Sequence, residues 1–346
     1  MSYTPSGNAT IYSYAIGVAQ SLCTLPGISL NIVIMTAIAT KGLLNRKRPV
    51  IYMLILNLMI SDTIQLTLGL LYSAPSSAFQ SYLLPMRLVR LPSTVFLVNW
   101  YQMWFSLATI AINRYLTMER PARCAMWFAH SRVALFICVS WCLTIPLVAL
   151  TQYLLPCCRF TLTYQVYSYA YIGTDFNYAD YIVELPGNIG TSVILIFCYS
   201  VVLYRMKSIV ENHSSRLGGD IENQRRSQEA RLSIQFFFIS FVFIFTWIFF
   251  RLFPLIVPSG FLEPFAIIQL MVSLNSSINA FFYLAYNETL RRKVSELLRL
   301  KSTRVKGDNT TPFLSTKTSQ MQATHFTPKS SMCQQICFHR TSDVML

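Results

Sequence analysis

Residues 50–73 read VIYMLILNLMISDTIQLTLGLLYS. The run is apolar and long enough to cross ~30 Å of hydrocarbon as a helix, which takes about 20 residues. It carries a single ionisable side chain, Asp62. A carboxylate near mid-bilayer costs about 2.5–3.5 kcal/mol on insertion scales. A group that expensive, with no basic residue beside it in the run, is expected to face a hydrated cavity or to carry a proton.

Six more runs of the same kind flank this one, at 11–39, 93–117, 132–155, 182–206, 232–258 and 264–286. They explain the composition. Of 346 residues, 53% are hydrophobic and 12% charged, about half the roughly 25% charge of a soluble domain. So few charges cannot wrap so large an apolar core in water. Disorder needs the opposite balance, and coiled coil and collagen fail on composition. Lipid offers the backbone no hydrogen bonds, so each run must close its own as a helix. The expected fold is an all-α membrane protein, a bundle of seven transmembrane helices. Met1 to Thr10 shows no basic n-region or cleavage site of a signal peptide.

Lysine and arginine set the orientation. Of the 28 present, all but Arg87, Arg90, Arg159 and Arg251 fall on one side of the seven runs. That side is expected to be cytosolic, with the N-terminus outside. The formal charge of +14 is then a topology signal facing anionic inner-leaflet lipid, not a nucleic-acid footprint. Asn8, in Asn8-Ala9-Thr10, is the sequon on the outer side and a candidate glycan acceptor.

The polar residues inside the runs form a candidate polar core: Asn31, Asn57, Asp62, Asn99 and Asn275. Amides there commonly hydrogen-bond across helices. After the seventh run, Leu290, Val294, Leu297 and Leu298 share one helical face while Arg291, Arg292 and Lys293 take others. That pattern predicts an amphipathic helix over 287–300, lying on the inner leaflet. The organisation expected is an outer N-terminus (1–10), the bundle (11–286), this surface helix, and a disordered Ser/Thr/Lys-rich tail (301–346). All four histidines lie outside the runs, and neither a metal-ligand pattern nor a cofactor motif occurs, so no metal and no cofactor is expected.

The third run ends Asn113-Arg114-Tyr115, with Pro121 six positions later. Alone, Arg114 would read as a snorkelling anchor. It is accompanied by Leu58 to Asp62, Asn31, Trp141, Phe243 with Trp247, and Asn279 to Tyr283. In order and placement these resemble the D-R-Y…P, L-x-x-x-D, span-one Asn, span-four Trp, F-x-x-x-W and N-P-x-x-Y motifs of rhodopsin-like G-protein-coupled receptors. The Asn-Arg-Tyr variant and the drifted motifs are most similar to nematode serpentine chemoreceptors of class V, W or X.

The resemblance implies a receptor that senses an extracellular small molecule or peptide and activates a heterotrimeric G protein, with no enzymatic activity. It implies a plasma-membrane location, with the sensory cilium a candidate compartment. It also implies a switch: Arg114, flanked by Asn113 and Tyr115, held at rest by Glu229, with Tyr199, Asn279 and Tyr283 serving the open state. Asn113 stands where the family has Asp, which is expected to weaken the resting lock. Trp100, Tyr101, Trp104 and Trp247 are candidate ligand-pocket residues.

Several positions depart from the family. Val89 replaces the Cys at the top of span three, so Cys157 and Cys158 are expected as a vicinal or free pair. Phe96 stands where amine receptors have Asp, and Ser273 where opsins have Lys. Phe160 to Tyr171, before Gly173, reads as a hairpin that either meets ligand or packs as a lid. The competing class is a ligand-gated channel or transporter subunit, disfavoured because no inverted repeat or paired broken helices occur.

Overall fold

The computed structural model describes residues 7–46, 48–85, 87–173, 176–213, 220–258 and 262–305, with 208–213, 220–228 and 300–305 described as backbone alone. Asp175, the Gly218-Gly219 hinge and the tail beyond Val305 lie outside the described residues. Two units divide at Lys301: Met1–Lys301, and Ser302–Leu346, of which the last turn of one helix is described.

Among the described residues, seven helices are long and apolar enough to cross a membrane: Ile11–Thr40, Ile51–Phe79, Arg90–Glu119, His130–Leu154, Ala179–Lys207, Glu229–Ile256 and Glu263–Tyr286. They are called spans one to seven. The first starts where the sequence supplies a cap. The Thr10 side chain accepts from Ser13 N, and the Ser13 hydroxyl accepts from Thr10 N, so two otherwise unpaired N–H groups are satisfied.

Three spans contain a widened π turn, at Gly69–Ser73, Leu150–Leu154 and Ala179–Glu184. A proline sits near each: Pro75, Pro146 and Pro186. Proline lacks the N–H that an i→i−4 bond needs and its ring crowds the preceding turn, and wide turns are one way for a helix to absorb that fault. In span five the π turn lies just before Pro186.

The interior is polar as well as apolar. Asn57 ties three spans together: its Oδ1 accepts from Trp141 Nε1 at 2.8 Å and its Nδ2 donates to Ser106 Oγ at 2.8 Å. Gln102 Nε2 donates to Ser140 Oγ at 2.9 Å. Spans three and five approach so closely that a Cβ on Gly187 would stand 2.4 Å from the Trp104 ring. Only glycine fits there without moving the indole.

Between spans four and five, β1 (Arg159–Thr163) and β2 (Ser168–Ile172) pair antiparallel, Arg159 opposite Ile172 and Thr163 opposite Ser168. The expected hairpin forms, but its turn is Tyr164–Val166 closed by Tyr167 at φ 56°, not the region of Gly173. Gly173 follows β2 and is committed elsewhere: a Cβ there would meet the sulfurs of Cys157 and Cys158 at 2.8 Å. Those two cysteines form a vicinal disulfide.

The hairpin is buried and pinned across the bundle. Gln20 Nε2 donates to Tyr167 O at 3.1 Å, Gln80 Nε2 to Tyr164 O at 3.1 Å, and Leu162 N to Ser93 Oγ at 3.2 Å. Of the two readings of this segment, the self-packed lid is the one the contacts favour. At the basic end, the predicted amphipathic helix spans Glu288–Val305, starting one residue later and ending five residues later than the pattern implied. Asn287 caps it, accepting from Leu290 N at 3.0 Å, and Leu290 and Val294 are its buried face.

Candidate functional site

Arg114 lies near the basic end of span three, 4% exposed. Its Nη1 donates to Glu229 Oε2 at 2.8 Å, and its Nη2 to Asn113 Oδ1 at 2.7 Å. A buried guanidinium is tolerated only when its donors are met. Here one carboxylate and one amide meet two of them, while Nε has no partner among the described residues. Asn113 thus keeps the contact an Asp would make and loses only the charge. Beneath it, Cys124 Sγ lies 3.6 Å from Asn113 Nδ2 and 3.3 Å from Thr117 Oγ1. Tyr115 is not in this cluster; it packs on Phe197, with ring centroids 6.0 Å apart. Tyr199 and Tyr283 are buried, packed against Phe237 and Phe236 respectively. A second ion pair, Arg205 with Glu119, joins spans five and three nearby.

Midway along the bundle, Asp62 Oδ2 accepts from Asn279 Nδ2 at 2.8 Å. Ser61 Oγ donates to Asn99 Oδ1 at 3.1 Å, and Asn275 Nδ2 faces Met103 Sδ at 3.4 Å. Both side-chain atoms of Asn31, Asn279 Oδ1 and the Tyr283 hydroxyl are buried without a hydrogen-bond partner among the described residues. Asp62 is therefore set among amides, not opposite a base. Asn57 belongs to a separate network with Trp141 and Ser106, so the five predicted polar-core residues do not form one cluster.

At the opposite end a small cavity of about 30 Å³ opens between spans three, five, six and seven and the hairpin. Trp100 and Trp247 line it. Tyr101 and Trp104 do not, which corrects the expected pocket. They stack on each other with centroids 4.4 Å apart, behind the wall. There the Tyr101 hydroxyl donates to Glu184 Oε1 at 3.4 Å, and Trp104 Nε1 to Asn188 Oδ1 at 3.0 Å. They position polar residues of span five instead of facing the space.

Among those polar residues, Asn188 is the one that sequence reasoning missed. Asp180, Glu184 and Asn188 repeat every four residues, one face of a helix, and all three line the cavity. The 180–184–188 spacing was the available signal. In the sequence the two acids read as negative charge near the mouth of the bundle, Glu184 inside the run 182–206 and Asp180 just before it; the face they share with Asn188 went unread. Opposite them, Arg251 Nη1 of span six donates to Asp180 Oδ2, and its guanidinium lies 5.8 Å from the Tyr181 ring centre.

A seven-span bundle with a buried Arg at one end and a lidded cavity at the other is the architecture of a seven-helix receptor. Squid rhodopsin has this fold: the two superpose with a TM-score of 0.68 over 89% of this chain and 94% of that one, at 18% sequence identity. Within that class, residues 22–287 match the serpentine type 7TM GPCR chemoreceptor Srx family, and the chain belongs to it. The match selects class X from the three serpentine classes that the motifs resemble. No curated protein matches the sequence significantly. The chain is thus a multi-pass membrane protein of a receptor family.

Proposed function

We propose that this chain is a plasma-membrane chemoreceptor, N-terminus outside, that activates a heterotrimeric G protein when a ligand enters the cavity under the hairpin. The observation that carries this reading is the Arg114–Glu229 pair at 2.8 Å, which closes span six against span three at the basic end. Span six also carries Arg251 and Trp247 at the cavity, so one rigid element touches both sites. A ligand that binds better when span six has swung outward shifts the population toward that state. Arg114 is then released from Glu229 and offered to the Gα subunit, while Tyr199 and Tyr283, with Asn279 beside Asp62, take new partners in the opened interior. Asn8, exposed ahead of the first span, is the proposed glycan acceptor on the outer face.

The test is exchange of a GTP analogue on a panel of Gα subunits, using membranes carrying the wild-type chain and Arg114→Glu at matched surface expression. Basal exchange that Arg114→Glu removes supports coupling through this residue. Exchange that persists in the variant sinks the Arg114 switch.

A further inference from the structure

The cavity's charges do not balance. Asp180 and Glu184 are each 7% exposed, and both line it. Arg251 is the base on the same wall, and its salt bridge goes to Asp180. Glu184 takes part in no salt bridge among the described residues; its Oε1 accepts from the neutral Tyr101 hydroxyl over 3.4 Å. The Arg251 charge also acts on Glu184, but from beyond ion-pair distance; a buried carboxylate without a base of its own is costly, and within a membrane-spanning helix it is a candidate functional residue.

Five aromatic residues share the remaining walls with Leu97, Asn188, Thr246 and Val272. Phe96 and Trp100 come from span three, Phe160 from the hairpin, and Trp247 and Phe250 from span six. Phe96 and Trp100 lie with ring planes 19° apart and centroids 6.4 Å apart, and Phe160 meets Phe96 at 5.4 Å. Ring faces attract a cation held within about 6 Å of their centroids. Aromatic walls around one spare carboxylate are therefore matched to a positive charge on an apolar body. Arg251 does not serve an anionic ligand equally well, because Asp180 already occupies it and lies in the cavity as well.

We infer that the ligand of this receptor is a small organic monocation, whose charge pairs with Glu184 and whose body lies against Trp100, Phe96 and Trp247. The inference rests on the receptor reading above and deepens it. The position that serves amine receptors is apolar here, Phe96, and the charge that would serve the same chemistry comes from span five. Gly187 and the Trp104–Asn188 bond hold that face of span five against span three, so Glu184 is presented from a fixed backbone.

Binding is measured on the full chain in phosphatidylcholine nanodiscs, following tryptophan fluorescence, since Trp100 and Trp247 line the cavity. The probes are phenethylamine and benzyltrimethylammonium as cations, 2-phenylethanol as the neutral analogue and phenylacetate as the anion. The expected result is saturable binding of at least one cation, tighter than the neutral analogue by about tenfold or more. Glu184→Gln, which keeps shape and hydrogen bonding but not charge, is expected to remove that preference.

Equal binding of cation and neutral analogue, tighter binding of phenylacetate, unchanged binding in Glu184→Gln, or saturable binding of neither cation overturns the inference. Should Glu184→Gln fail to fold, the charge series on the wild-type chain still decides. No G protein enters this measurement. Failure of Arg114-dependent exchange would therefore leave a positive binding result standing, and the reverse also holds.

Discussion

Span six is clamped by an ion pair at each of its ends, and the two clamps are built differently. At the basic end it supplies the acid, Glu229, to an Arg114 that is 4% exposed. One carboxylate meets one guanidinium, and Asn113 adds a neutral acceptor. At the opposite end span six supplies the base, Arg251, to Asp180, with Glu184 left over four residues along. The inner clamp is closed in charge and can only be broken. The outer one is open in charge and can still take something up. On the proposed reading, electrical balance thus separates a latch from a receptor site, although both are salt bridges between span six and a neighbour.

The largest effect expected is at the latch. Arg114→Glu places two acids together and removes the group offered to Gα, so basal exchange should fall to background at equal surface expression. At the outer end, Arg251→Met leaves Asp180 buried without its partner. Breaking one side of such a pair is far worse than replacing both. Surface expression of Arg251→Met should therefore fall several-fold, and the double variant Arg251→Met with Asp180→Asn should recover most of it, as read by surface labelling. Equal expression of the single and double variants would make the outer pair energetically idle and the comparison void.

Glu229→Ala should act in the other direction from Arg114→Glu. It frees Arg114 and should raise basal exchange by roughly fivefold, the equivalent of about 1 kcal/mol. Unchanged basal exchange at equal surface expression would remove the resting-lock role of Glu229. The smallest effect expected is from Asn113→Asp. It restores a charge where the contact already exists, so basal exchange should fall by only about twofold, within the usual range for a partly screened pair. A large fall would mean that the missing charge, not the geometry, sets the resting level.

Much of this arrangement was legible in the residues, for identifiable reasons. Hydropathy located the ends of the seven spans to within three residues, except the outer end of span two, which runs six residues past 73 to Phe79, because crossing lipid fixes helix length. The eighteen-residue interval from Glu229 to Trp247, matched to a family pattern, placed Glu229 opposite Arg114, and the coordinates put those groups at 2.8 Å. The pocket was only half legible. Trp100, Tyr101 and Trp104 sit on a span 72% buried over its apolar window, so no solvent- or lipid-facing side marks its rotation, and aromatic character alone could not tell the cavity wall from the layer behind. The helical placement of Asp180 was obscured by a π turn that starts span five at Ala179, three residues before its apolar run. The hairpin turn was misplaced because Gly173 looked like the natural left-handed residue, whereas Tyr167 adopts that conformation and Gly173 makes room for the Cys157–Cys158 sulfurs.

The hairpin also has a consequence for time. Its main chain is bonded to span one, to Gln80 just beyond span two, and to span three, and on the proposed reading a ligand arriving from outside would have to pass it. Gating of that kind slows association below the roughly 10⁵–10⁷ M⁻¹s⁻¹ typical of specific docking and slows escape equally. A sensor so covered sums its exposure instead of tracking it. A brief chemical pulse would leave a signal that outlasts the stimulus, and two pulses closer together than the residence time would be felt as one.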